Sequence, residues 1–352
     1  MTSRPPNVRA HLAVATAAAV ATALVGVALL AIGRDARPPA RPGPGGDAPV
    51  ASPAAPAASP SSSLEPTARG PGRLLVLTGG PRRPRATIRD LARPGEAVAL
   101  PLPVDAVPLA AIAVAPDGRL AAVTQDGRAW EARTARPGGP GDPTWHRLPI
   151  GPAALGLPDP VLGAAWRRDG SALQLLGGDP GSGVMRTAVA TFAFDGTPTT
   201  IVAVPRRADG PALAALPGGG VAYIGRDLRD RTVVVRIRPD GAFEILPAAG
   251  SRWIAAGADL VAIAEDAAVR VGRLADLERG VLPAERLPLA GAAGIGAVAV
   301  SPDGTAIAVV RPEEGPAPSR VDVLRRAGDA WVPAGPIPLD ADPRSAIVAW
   351  LP

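Results

Sequence analysis

Cysteine is absent from the chain, which excludes disulfides, a thiol nucleophile and any cysteine-ligated metal. Lysine is absent as well: all 37 basic residues are arginine. From Arg73 onward 31 arginines stand against 29 acidic residues, a net of +2, so the pI near 11.0 reflects missing lysine more than a basic field. A nucleic-acid partner, which needs a surplus of cations to displace phosphate counterions, is not expected. Only ten residues are aromatic, so an interior must be built from small side chains, chiefly alanine and valine. Two histidines occur, His11 and His146, and a lone imidazole lacks the companions that hydrolytic or quinone-dependent redox chemistry requires, so His146 is read as structural.

Other chemical signatures are missing too. No Gly-x-Ser-x-Gly elbow is present, and neither Asp179–Gly183 nor Glu265–Ala268 has the ligand density of a calcium loop. The glycines of 291–300, GAAGIGAVAV, lead into a strand pattern, whereas a phosphate cradle needs a helix N-terminus. No catalytic residue, metal or cofactor is therefore expected.

Proline (44) and glycine (41) are abundant and argue for many turns and few long helices. Residues 12–32, LAVATAAAVATALVGVALLAI, run without a charge behind Arg4 and Arg9. As a helix this stretch would span roughly 30 Å, the thickness of a bilayer core. It is read as a transmembrane helix or signal anchor over 12–33, preceded by a cytoplasmic segment 1–11, with secretion as the outcome if cleavage follows Gly33. Residues 34–72 hold ten prolines among alanine, serine and glycine and have almost nothing to bury, so they are expected to form a disordered Pro-rich linker.

From 73 to 352 the texture changes to short apolar runs broken by turns. One pattern recurs: AIAVAPDGRLAAV (111–123), GAAWRRDGSALQLL (163–176), ALAALPGGGVAYI (212–224) and AVAVSPDGTAIAVV (297–310), with a degenerate copy WIAAGADLVAIA (253–264). Taking Ala115, Trp166, Leu216, Ala256 and Val300 as equivalent, the copies lie 40 to 51 residues apart, the period of a four-stranded blade. Proline presets the first turn position, aspartate caps the next and glycine accepts the left-handed conformation, giving a tight hairpin with a bulge. Each copy is followed by a second hairpin, as at 123–132 or 233–246, completing four strands. The aspartates of these turns (Asp117, Asp169, Asp303) are read as caps and Trp166 and Trp350 as packing between blades.

The ends of the head complement each other. SAIVAWLP (345–352) matches only the first strand of a unit, while RLLVLTGG (73–80), ATIRDL (86–91) and AVALPLP (97–103) supply the other three. The expected fold is all-β: a six-bladed β-propeller over 73–352 with shared-terminus closure, preceded by the membrane helix and linker. Ser301-Pro302-Asp303-Gly304 and its variants resemble the WD-repeat-like units of TolB-like bacterial propellers. That resemblance implies a blade and a bacterial envelope setting; it carries no functional residue.

In this register, Arg252 and Arg344 fall in blade-joining loops, and Arg82, Arg83, Arg85, Arg226, Arg229 and Arg231 in loops between second and third strands, all on one face. They are the candidate binding residues for an anionic partner, with Asp227, Asp230, Glu313 and Glu314 interspersed. The expected function is a membrane-anchored, extracytoplasmic binding or scaffolding module of the bacterial cell envelope with a monomeric head, its partner an envelope protein or anionic polymer. The alternative is a hydrolase or lyase using acidic and arginine side chains at the channel mouth.

Overall fold

The structure, a computed structural model, describes residues 72–93, 95–133, 143–150, 157, 160–178, 187–287, 289, 294–311, 319–339 and 346–352. The expected membrane helix, the linker up to Pro71, and Arg344 with Glu313 and Glu314 lie outside these. Among the described residues no helix is long and apolar enough to cross a membrane.

Six antiparallel sheets of four strands each make up the head. The head begins with β1 (Arg73–Thr78), β2 (Arg85–Asp90) and β3 (Ala97–Leu100). The next sheet is β4 (Leu109–Val114), β5 (Arg119–Thr124), β6 (Ala129–Arg133) and β7 (His146–Arg147). It is followed by β8 (Val161–Trp166), β9 (Ala172–Gly178), β10 (Thr187–Ala193) and β11 (Pro198–Val204). A fourth comprises β12 (Arg207–Ala215), β13 (Val221–Arg226), β14 (Thr232–Ile237) and β15 (Phe243–Pro247). The fifth, β16 (Trp253–Gly257), β17 (Leu260–Ala264), β18 (Val269–Arg273) and β19 (Glu285–Arg286), carries the short helix α1 (Leu274–Glu278). The sixth is β20 (Ala297–Val300), β21 (Ala306–Arg311), β22 (Arg320–Ala327) and β23 (Ala330–Pro338). Finally β24 (Ile347–Leu351) returns to pair with β1, Leu74 opposite Trp350 and Val76 opposite Val348, so the first sheet is built from both ends of the head. This is a six-bladed β-propeller closed by its termini.

The innermost strands β4, β8, β12, β16, β20 and β24 touch in succession and close a ring around a central channel. The core lies between the sheets. Each of the six apolar clusters joins two neighbouring blades, and the period-two alternation of a strand decides which side chain goes to which side. In β1, Leu74 and Val76 pack with Ala299, Val310 and Trp350 toward the sixth blade, while Leu75 and Leu77 pack with Ile112, Leu120 and Trp130 toward the second.

The recurring turn has the expected chemistry. In the first copy the N–H of Ala115 donates to Arg119 O and that of Gly118 to Ala115 O, with Gly118 at φ 84°, a type I turn closed by a glycine bulge. The equivalent opening residues are Ala115, Arg167, Leu216 and Ser301. Trp166 and Val300 thus sit one residue before the position assigned to them from sequence, because the turn is fixed by backbone hydrogen bonds and not by hydropathy. The stretch 123–132 also differs: it joins β5 to β6, second strand to third, and the fourth strand of that blade is only His146–Arg147. The 233–246 stretch is the third-to-fourth hairpin, as expected.

Polar straps reinforce the apolar interfaces. Arg119 donates to the Gly170 carbonyl of the next blade at 2.6 Å, and its guanidinium lies 4.9 Å from the Trp166 ring and 4.5 Å from that of Phe194. Arg236, buried in β14, donates to the carbonyls of Leu277 and Glu278 and pins α1 of the following blade. Backbones meet closely as well, since a Cβ at Gly163 would collide with the Pro211 carbonyl and one at Gly257 with that of Ser301. Small residues at these points are what let six blades close.

Trp350 is the largest side chain of the closing strand; it is buried among sixth-blade residues and its indole N–H donates to Ala299 O at 3.2 Å. Trp350→Ala is expected to cost about 3–5 kcal/mol, with Trp350→Phe retaining most of the packing. Urea unfolding of the two variants measures this, and equal midpoints with the unaltered chain would show that closure does not govern stability.

Candidate functional site

The channel has a volume of about 300 Å³ and is lined by residues of all six inner strands. Its side chains are almost all apolar and many are small, including Ala111, Ala113, Ala164, Ala214, Ala255, Ala299 and Ala349. Each inner strand has a hydrogen-bonded neighbour on one side only, so its other edge turns backbone N–H and C=O groups to the channel. The polar character of the channel wall therefore comes mainly from backbone.

The two ends differ. At the end where the inner strands begin, the upper mouth, a chamber of about 370 Å³ is walled by Leu77, Leu109, Val161, Leu162, Trp253 and Ile347. The N–H of Leu109 donates to Pro81 O, and that of Val161 to Gln125 O, tying inner strands to loops of the preceding blade and holding this rim in shape. At the lower end lie the hairpin turns, with Pro116 and Pro302. Arg168 is the one charged residue among the described residues lining the channel. It crosses from the third blade to the fifth and donates to the carbonyl of Ala258, a non-glycine residue at φ 35°. Burial lowers its pKa, opposed by the charges of Glu278 and Asp259. The strap crosses the lower end of the channel.

The arginines singled out from sequence divide into two sets. Arg82 and Arg83 lie exposed on the β1–β2 connection beside Gly80 and Pro81 of the upper chamber, Arg85 is the exposed first residue of β2, and Arg229 is exposed on the β13–β14 loop. None of these four forms an ion pair with a described residue. Arg226, in contrast, is paired with Asp209 at 2.8 Å and Asp230 at 3.4 Å, Arg231 with Asp227 at 2.7 Å, and Arg252 with Asp266. These neighbouring carboxylates neutralise three of the seven described rim arginines.

Turn aspartates behave as caps. Oδ1 of Asp117, Asp169 and Asp303 accepts from the backbone N–H two residues on, and at Asp169 the Ser171 hydroxyl is the leading cause of a lowered pKa. Trp166 and Trp350 are both buried between blades and both pair with the second residue of the adjoining strand, Leu173 and Leu74. His146 is exposed on the two-residue β7. No cluster of three His, Asp or Glu positioned for a metal occurs among the described residues.

No protein family profile and no curated protein sequence matches the chain. Solved structures do. TolB from Acinetobacter baumannii superposes with a TM-score of 0.53 at 13% identity, covering 80% of this chain and 67% of that one. The fold is a TolB-like propeller. A Lactobacillus plantarum protein (TM-score 0.46, 15% identity, 76% of this chain and 82% of that one) and the Neurospora crassa Pan2 WD40 domain (0.42, 15%, 66% of each) are more distant. At these identities the likeness is one of fold alone.

Trp253 and Arg168 were missed from sequence. Arg168 had a signal: it occupies the turn position held by Pro116, Pro217 and Pro302 in the other copies, a departure that a turn does not need. Trp253 opens the degenerate copy and carries no comparable mark.

The rim supports a pH prediction. Asp227 is pushed down to about 2, first by the backbone N–H of Arg231, then by its guanidinium and the N–H of Arg229. Because the folded value lies below the unfolded one of about 3.9, this contribution is present above pH 4 and is lost as pH falls toward 2. Carboxyl NMR titration should find Asp227 at the acid extreme, and Asp227→Asn should flatten the acid loss of stability over that interval; a titration near 4 contradicts the loop geometry.

Proposed function

We propose that the head is a binding module whose partner enters at the upper mouth, apolar groups into the chamber and acidic groups onto the rim arginines. The chamber carries this reading: about 370 Å³ of mainly apolar wall open beside Arg82 and Arg83, cations with no partner among the described residues. Apolar concavities with a few convergent polar groups are where ligands settle. Arg85, Arg229 and Arg344 extend the cationic rim in this reading, and Arg226 and Arg252 would exchange their present carboxylates for those of the partner.

Residues 12–33 anchor the chain in the membrane as a single pass, and the head works outside the cytoplasm of a bacterial envelope, its partner an envelope protein or anionic polymer. The chain enters the head at Arg73, opposite Leu351 and so at the lower end of β1. Arg73 thereby lies at the end of the head away from the chamber.

The test is capture from solubilised envelopes with the intact chain in detergent as bait, followed by affinity measurement on the purified companion. Ala110→Arg, which places a long cation in the chamber wall, is expected to weaken binding at least tenfold. Arg82→Glu with Arg83→Glu should weaken it several-fold and reduce its salt dependence. A companion that binds both variants as tightly as the original chain, with unchanged thermal transitions, sinks the reading; turnover of an envelope substrate would favour the hydrolase or lyase.

A further inference from the structure

The outer edge of each blade presents backbone N–H and C=O groups with no strand beside them, and natural sheets blunt such edges with short strands, proline or charge. Most of the edges here are blunted. β7 and β19 have two residues each and β3 has four. β15 carries Glu244 and ends in Pro247. β23 is nine residues long but holds Pro333, Pro336 and Pro338 and a register break. β11 is the least blunted: PTTIVAV, seven residues, proline only at the first position, no charge, five β-branched side chains, and a single register break near its start, at Thr199. Ile201 at its centre is 47% exposed, and among the described residues β10 is the one strand paired with it.

We infer that β11 is a docking edge for a second copy of this chain, which adds its own β11 antiparallel across a twofold axis near Ile201. Two features select this occupant. The strand is uncharged, so self-pairing sets no like charges opposite one another. Centred on Ile201, the register places Thr199 opposite Ala203 of the other copy and Thr200 opposite Val202. The ends of the strand are also oppositely charged. Asp195 lies exposed in the turn before β11, while Arg206 and Arg207 follow it, and neither arginine is ion-paired among the described residues. Antiparallel pairing brings the acidic end of one strand to the basic end of the other, a self-complementary arrangement of the kind a twofold interface demands.

A single strand edge buries less than the roughly 1,200–2,000 Å² of a stable interface, so the dimer is weak and reversible. The expectation of a monomeric head took no account of this edge. The surface is distinct from the upper mouth, and either proposal stands if the other fails.

The absence of cysteine gives a clean background for the test. Opposed residues in an antiparallel pair have Cα atoms about 4.5–5.5 Å apart, within disulfide range. In the intact chain, oxidised in detergent, Ile201→Cys is expected to give a covalent dimer. Val98→Cys, more exposed than Ile201 at 66% and on the edge strand β3, reports random collision, including any through the N-terminal segment. Thr199→Cys mixed with Ala203→Cys should cross-link well above either alone, which fixes the antiparallel register. Arg207→Asp should lower the Ile201→Cys yield several-fold, with Asp195→Arg restoring it. An Ile201→Cys yield no higher than that of Val98→Cys, or a mixture no better than its components, overturns the inference; unchanged thermal transitions exclude misfolding as the cause.

Discussion

Pairing of Ile347–Leu351 with Arg73–Leu77 is the contact on which every other feature of the head rests. Each apolar cluster is shared by two blades, so no blade buries its own core, and a ring opened at one seam leaves two faces of small side chains in water. The closing strand brings Val348 and Trp350 to one side and is continuous with the hydrogen bonding of β1 on its other edge. A chain poor in aromatics concentrates much of the anchoring at this seam in one indole.

Small side chains also set the geometry of the channel. Alanine and glycine along the inner strands let neighbouring backbones approach until Gly163 and Gly257 meet carbonyls of the next blade. Close approach leaves a narrow tube whose wall is backbone edge and methyl groups, not catalytic side chains. Arginine supplies the long polar reach that such a core lacks. Arg119, Arg168 and Arg236 each span from one blade to another and end on a carbonyl, a use suited to a planar cation with several donors.

The architecture was legible because two local signals agreed: a turn chemistry that only certain residues satisfy, and an alternation that places apolar side chains on both faces of each strand. Ser301-Pro302-Asp303-Gly304 announced a blade on its own terms, and SAIVAWLP was recognisable as a first strand with its three companions far upstream. The topological side of the rim arginines followed from counting strands. Whether a given arginine would be free did not, since the carboxylates that hold Arg226 and Arg252 come from Asp209, 17 residues away, and Asp266, across the blade. The one-residue offset at Trp166 has the same origin: hydropathy is blind to which carbonyl closes a turn. The chamber at the upper mouth was invisible for a further reason, because its wall is assembled from residues spread over most of the head, Leu77 to Ile347.

The asymmetry of the two channel ends follows from the meander itself. Connections between first and second strands are tight turns, and they crowd the lower end with Pro116, Pro302 and Arg168. Connections between blades and between second and third strands lack that shared turn and differ in length, with two residues between β11 and β12 and eight between β3 and β4, so variation in length and charge accumulates at the upper end. A rim that tolerates variation is where specificity can be written without disturbing closure. The same logic applies at the periphery, where the outermost strand contributes least to the ring and β11 differs most from its counterparts. Closure fixes the interior of this molecule, and the surfaces open to selection are those that closure leaves unpaired: the loop rim above the channel and the outer strand edges.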